Sequence, residues 1–116
     1  MIAMRWFMSV VFGVSLMAAE APPSWSADIQ PLFAQRCTEC HGEHKAKAKL
    51  RLHTREAVLA GAFSGPVVVP GKAADSSLYD LIRRPADDPD LMPPKGKLLT
   101  PAQVDLVRRW IDGGAP

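Results

Sequence analysis

The sequence predicts a small, mainly α domain of three to four helices whose long loops wrap a ligand. Three observations carry that prediction. Apolar residues recur at helical spacing behind recognisable caps. Eleven prolines and eight glycines break up the connections too often for a regular sheet. Both cysteines fall in one short stretch, Cys37-Thr-Glu-Cys40-His41. With 116 residues there is room for one compact domain and none for a second. A charged fraction of 22% and a hydrophobic fraction of 47% are ordinary for a globular chain, so wholesale disorder is not expected. Net charge is +2 and no long basic run is present, which argues against nucleic acid as a partner.

Residues 1–21 read as a signal peptide. Arg5 is the only charge before Glu20, and the stretch from Trp6 to Ala19 is apolar and ends in small residues, the layout of a secretory leader. A membrane anchor is the alternative. Fourteen helical residues reach only about 21 Å, against a hydrocarbon core of roughly 30 Å. Cleavage near Ala19 or Ala21 leaves residues 22–116 as an exported domain without a stable membrane span, expected in a bacterial periplasm. No cysteine lies near that point for lipid attachment.

Four helices are expected in that domain. The first runs from Asp28 to Cys40, with Pro31 in its first turn, where a missing N–H costs nothing. The second, Thr54 to Ala60, takes Thr54 as its cap and Glu56 at the positive end of its dipole, and stops at Gly61. The third, Ser76 to Arg84, is expected to be capped by Asp75 and ended by Pro85. The fourth begins with Thr100-Pro-Ala-Gln103, a capping box with proline in the first turn, and closes at Gly113. Val104, Val107, Trp110 and Ile111 share one face of it, so it must pack on something. Val67–Val69 is too closely flanked by Pro66 and Pro70 to join a sheet. The loops Gly61–Ala74 and Pro85–Leu99 are long for so small a domain, which suggests they enclose a ligand.

Cys-x-x-Cys-His is the attachment signature of c-type haem. Two thiols three positions apart reach two vinyl groups, and the following histidine, His41, supplies the proximal nitrogen to the iron. Two plainer readings compete. A thiol–disulfide centre usually stands on a βαβ frame, which the sequence lacks. A zinc site needs four ligands and would have to draw on His44 and His53.

The sixth iron ligand is expected from Met92, the only methionine outside the leader. Pro93 and Pro94 stiffen the backbone behind it. Its flanking Asp90 and Lys95 make a poor setting for core filler. His53 stays open as an alternative ligand, whereas His44 lies too close to His41 to travel to the opposite face.

With these residues in view, the chain resembles class I c-type cytochromes, and among them the planctomycete-type cytochrome c domain. The resemblance runs from Ile29 to Pro116. Its motifs are Ile29-x-Pro31-x-Phe33 leading to Cys37-x-x-Cys40-His41-Gly42, then Leu50-Arg-Leu52-x-Thr-Arg-Glu56, Ser64-Gly-Pro66, Val69-Pro-Gly-Lys72, Met92-Pro-Pro-Lys-Gly96 and Trp110-Ile-Asp-x-Gly114. His53 departs from it, since the family more often has an acidic residue there. The resemblance implies a class I fold around one covalent haem, with first and last helices crossing through Phe33 and Trp110. It also suggests the Pro66 carbonyl as acceptor for the His41 ring.

The function expected is that of a one-electron carrier, not an enzyme in itself, with iron held by His41 and Met92. Two alternatives stand beside it. One is an electron-relay domain at the start of a larger exported enzyme, and the other a five-coordinate haem sensor or peroxidase-like centre. The partner is expected to be a redox protein or a fused enzyme domain. Lys45, Lys47, Lys49, Arg51 and Arg55, with Lys95 and Lys97, could ring the haem edge and steer an acidic partner, or simply be a solvated face.

Overall fold

The computed structural model describes residues 21–94 and 98–116. The expected signal peptide up to Glu20, and Lys95, Gly96 and Lys97, lie outside the described residues. Among the described residues there are four α-helices: α1 (Gln30–Arg36), α2 (Arg55–Ala60), α3 (Ser77–Ile82) and α4 (Pro101–Asp112). Among the described residues there is no strand, only the isolated bridges His41–Ala46 and Ala62–Gly65. The mainly α class is therefore as expected.

The first helical stretch is corrected at both ends. A π-helical turn, Trp25–Ile29, leads into α1. Ser24 caps it reciprocally, its hydroxyl accepting from the Ala27 N–H while its own N–H donates to Asp28. Regular helix then stops at Arg36, not Cys40. The Phe33 carbonyl accepts from the amides of both Cys37 and Thr38, and the chain unwinds into a turn at that shared bond. α2 sits where expected, with Thr54 as its cap. α3 is shorter than expected, and its N-cap is Ser76. Asp75 belongs instead to a 3₁₀ turn, Ala73–Asp75. α4 carries the full capping box between Thr100 and Gln103.

The core gathers where α4 meets the Trp25–Ile29 turn and the first turn of α1. Phe33, Ile29, Val107, Trp110 and Ile111 are all at most 1% exposed. The expected Phe33–Trp110 contact is present, edge-on at 6.5 Å between ring centroids. Trp25 completes a trio, 5.7 Å from Phe33 and 5.8 Å from Trp110. All three separations fall in the range where aromatic pairs add to plain area burial.

The 61–74 loop is tied down rather than loose. Gly71 N–H donates to the Ile111 carbonyl and Ala73 N–H to the Asp112 carboxylate. The buried Ser76 hydroxyl accepts from Val69 N–H and donates to the Lys72 carbonyl. Val67 and Val68 are buried by this pinning without a sheet. Gly61 makes the sharp entry possible, at φ +83°, where a Cβ would stand 2.5 Å from the Gly65 carbonyl oxygen.

Candidate functional site

The segment after α1 folds back on itself. His41 N–H donates to the Cys37 carbonyl, Lys47 N–H to the Cys40 carbonyl, and Leu52 N–H to the His41 carbonyl. This lattice fixes Cys37, Cys40 and His41 along one wall of a cavity of about 400 Å³, within the range of cofactor sites. Leu50, Leu52, Val67, Leu78 and Leu81 give the wall its apolar character. The loop after α3 supplies Met92, Pro93 and Pro94. All four sequence-predicted site residues, Cys37, Cys40, His41 and Met92, thus border the same space.

The His41 ring is held by backbone. Its Nδ1 lies 3.0 Å from the Lys47 carbonyl oxygen and 3.3 Å from that of Leu50. Carbonyls only accept, so Nδ1 is the donor, and in the neutral ring the lone pair is then on Nε2, the form that binds a metal. This corrects the expectation that Pro66 would orient the ring. Pro66 is exposed, and the tight turn Lys47–Lys49 brings nearer carbonyls to His41.

Both cysteines are free. Burial against the apolar wall pushes the Cys37 thiol up to about 11, because a thiolate there would lose its hydration. At neutral pH it stays protonated, the opposite of what disulfide exchange requires. Zinc fares no better: among the described residues there is no group of three or more His, Cys, Asp and Glu able to hold a metal ion.

Met92 is anchored through its N–H to the Leu81 carbonyl, and the residue is 41% exposed. The Met92–Pro93 peptide is cis. His44 stands in solvent beside Glu43. His53 does not border the cavity, and its Nδ1 is buried without a hydrogen-bond partner among the described residues.

Of the basic residues, Lys47 reaches the cavity wall, and Lys45, Lys49 and Arg51 are exposed. Arg55 does not join them, since its Nε donates to the Ala115 carbonyl at 2.7 Å. Leu50 and Leu52 are cavity wall beyond the expected site residues, and their alternation around Arg51 is the sequence signal for it. The Lys47 carbonyl has no such signal, because a backbone acceptor leaves no trace in residue type.

A family model described as planctomycete cytochrome C matches residues 37–96, more than half of the chain. The chain belongs to the planctomycete cytochrome c family. Membership makes it a haem-binding, electron-transfer protein with the small, mainly α fold of cytochrome c. No curated protein and no solved structure matches this cytochrome significantly. Among its described residues no helix is long and apolar enough to cross a membrane.

Proposed function

We propose that this cytochrome is an exported carrier of single electrons, with one haem joined covalently to Cys37 and Cys40 and its iron held by His41 and Met92. The observation that carries this reading is the convergence of those four side chains on one apolar cavity. When bound, the haem supplies a reversible one-electron couple.

The chain's own residues do the rest. Cys37 and Cys40 would hold the haem through thioethers, each thiol supplying an S–H for addition across a vinyl group, which needs no oxidant or reductant. The carbonyls of Lys47 and Leu50 keep the His41 Nε2 lone pair available and make the ring more basic. Met92 offers a soft sulfur, which favours the ferrous form over what harder ligands give. The leucines around the cavity exclude water, and a bound group there completes a core that is thin for a domain of this size. Export rests on the leader-like residues 1–21, and sequencing the N-terminus of the secreted protein reads the cleavage point directly.

The test is a visible spectrum of the protein produced with a cytochrome c maturation system, oxidised and reduced, with and without carbon monoxide. Low-spin haem c bands indifferent to carbon monoxide are expected. Bands that shift on adding it would remove Met92 from the iron and favour a five-coordinate sensor or peroxidase-like centre. A colourless protein would end the haem reading.

A further inference from the structure

We infer that Phe63 is a positioning residue for the proximal ligand: it clamps the turn whose carbonyls hold the His41 ring, and so sets how firmly that ring is held. The inference rests on the reading above in which His41 binds the iron. Phe63 is 80% exposed, so burial does not account for a phenylalanine at this position. Its contacts do. Its N–H donates to the Ala48 carbonyl at 2.9 Å, and its ring receives the Lys49 ammonium, 5.4 Å from the centroid. Both contacts fall on the two residues that follow Lys47, whose carbonyl oxygen lies 3.0 Å from the His41 Nδ1.

That turn needs outside support to keep its shape. Ala48 and Lys49 both lie in the left-handed region, at φ 56° and 57°, which is unfavourable for any residue with a Cβ. Such conformations persist only where the surrounding structure over-determines them. Local bonds supply part of this: the Lys49 N–H donates to the Ala46 carbonyl and the Leu50 N–H to that of Lys47. Those bonds close the turn on itself, whereas Phe63 ties it to a separate part of the chain.

The clamp is itself fixed. Ala62 and Gly65 exchange backbone hydrogen bonds of 2.9 and 3.0 Å around Phe63. Beyond them Val67 is buried and lines the cavity, and the Gly71 N–H is tied to the Ile111 carbonyl of α4. The His41 ring is thus connected to α4 through a series of held contacts, with Phe63 at the step next to the ring's own turn. While the turn is held, the Lys47 carbonyl keeps its bond to the His41 N–H short, which makes the ring more electron-rich and favours ferric iron. Without the Phe63 ring, the turn relaxes toward ordinary φ, that bond lengthens, and the balance moves toward ferrous iron.

The test compares Phe63→Ala, Phe63→Leu and Phe63→Tyr with the native haem-loaded chain, by spectroelectrochemistry and by hydrogen exchange at the ¹⁵N-labelled His41 Nδ1. These substitutions leave the charge unchanged, so a shift in potential does not report altered surface electrostatics. Poised at the native midpoint, the ferrous-to-ferric ratio should rise about threefold in Phe63→Ala and Phe63→Leu, and exchange at Nδ1 should quicken about tenfold. Phe63→Tyr keeps the ring face and should match the native chain. Ala48→Gly removes the cost of the left-handed conformation at that residue, so Phe63→Ala added to it should move both readouts less than it does alone. A native potential and native exchange in Phe63→Ala overturn the proposal while leaving the iron ligation intact. So does a Phe63→Ala effect undiminished by Ala48→Gly. Absence of haem bands in the native chain would instead end the reading on which the proposal rests, and the proposal with it.

Discussion

Replacing Trp110 by alanine removes the centre of the crossing between α4 and the Trp25–Arg36 helical stretch. The ring is fully buried, touches Trp25 and Phe33, and donates from Nε1 to the Pro116 carbonyl at 2.9 Å. A buried tryptophan truncated to alanine costs about 3–5 kcal/mol, a large share of the roughly 5–15 kcal/mol that holds a domain together. Trp110→Phe keeps an aromatic but loses the hydrogen bond, for about 1–2 kcal/mol. The Pro116 carbonyl keeps one donor even then, the Trp25 N–H at 2.8 Å. Combining Trp110→Ala with Phe33→Ala should expose a coupling of about 0.5–1.5 kcal/mol from the ring contact. Denaturant unfolding of the haem-loaded protein, followed by far-ultraviolet circular dichroism, measures all four corners of the cycle. Because Phe33 also supplies the carbonyl that turns the chain at Cys37, the single variants should broaden the haem bands as well. A Trp110→Ala cost below about 1 kcal/mol, or a coupling indistinguishable from zero, would refute the view that this crossing supports the site.

Three further outcomes are expected. Met92→Ala should lower the reduction potential and let carbon monoxide bind, both read by spectroelectrochemistry; an unchanged potential would remove Met92 from the iron. Gly61→Ala should destabilise the fold by about 1–3 kcal/mol, since the new Cβ meets the Gly65 carbonyl at a positive φ, and a neutral result in thermal unfolding would contradict the geometry. Hydrogen bonds from Arg108 and then Arg109 hold the Asp105 carboxyl below its ordinary value. Its contribution is thus complete above the ordinary carboxylate range and is lost as pH falls through the depressed value. Asp105→Asn should flatten the acid limb of the stability profile by a small amount, because the pair is solvent-exposed, and an unaltered limb would count against it.

Much of the fold was legible because helix ends are written in side chains. Thr54, Thr100 and Gln103 are capping residues by chemistry, and they cap in the structure. The first helix differs from its expected bounds at both ends, for opposite reasons. Ser24 and Asp28 form their cap across a π turn that shifts the usual spacing, and Cys37 ends the helix through a shared carbonyl that no residue type announces. The same holds at the site. Cys37, Cys40, His41 and Met92 could be named from residue type and spacing, whereas the carbonyls that orient His41 depend on a turn in which Ala48 and Lys49 adopt conformations neither residue favours. Arg55 looked like part of a charged run, but its position at the start of α2 sends it to the Ala115 carbonyl.

That C-terminal tail is joined to the other end of the fold. The Trp25 N–H and the Trp110 indole both bond the Pro116 carbonyl, while Arg55 bonds that of Ala115. The point where the chain enters the folded body and the point where it leaves are thus a single hydrogen bond apart. Topologically the body is almost a closed ring, so a short linker could seal it and new termini could be opened in the 85–90 loop at little cost in loop entropy. By the same geometry the whole body could be grafted into a surface loop of another polypeptide, like a bead threaded at one point, without pulling its ends apart.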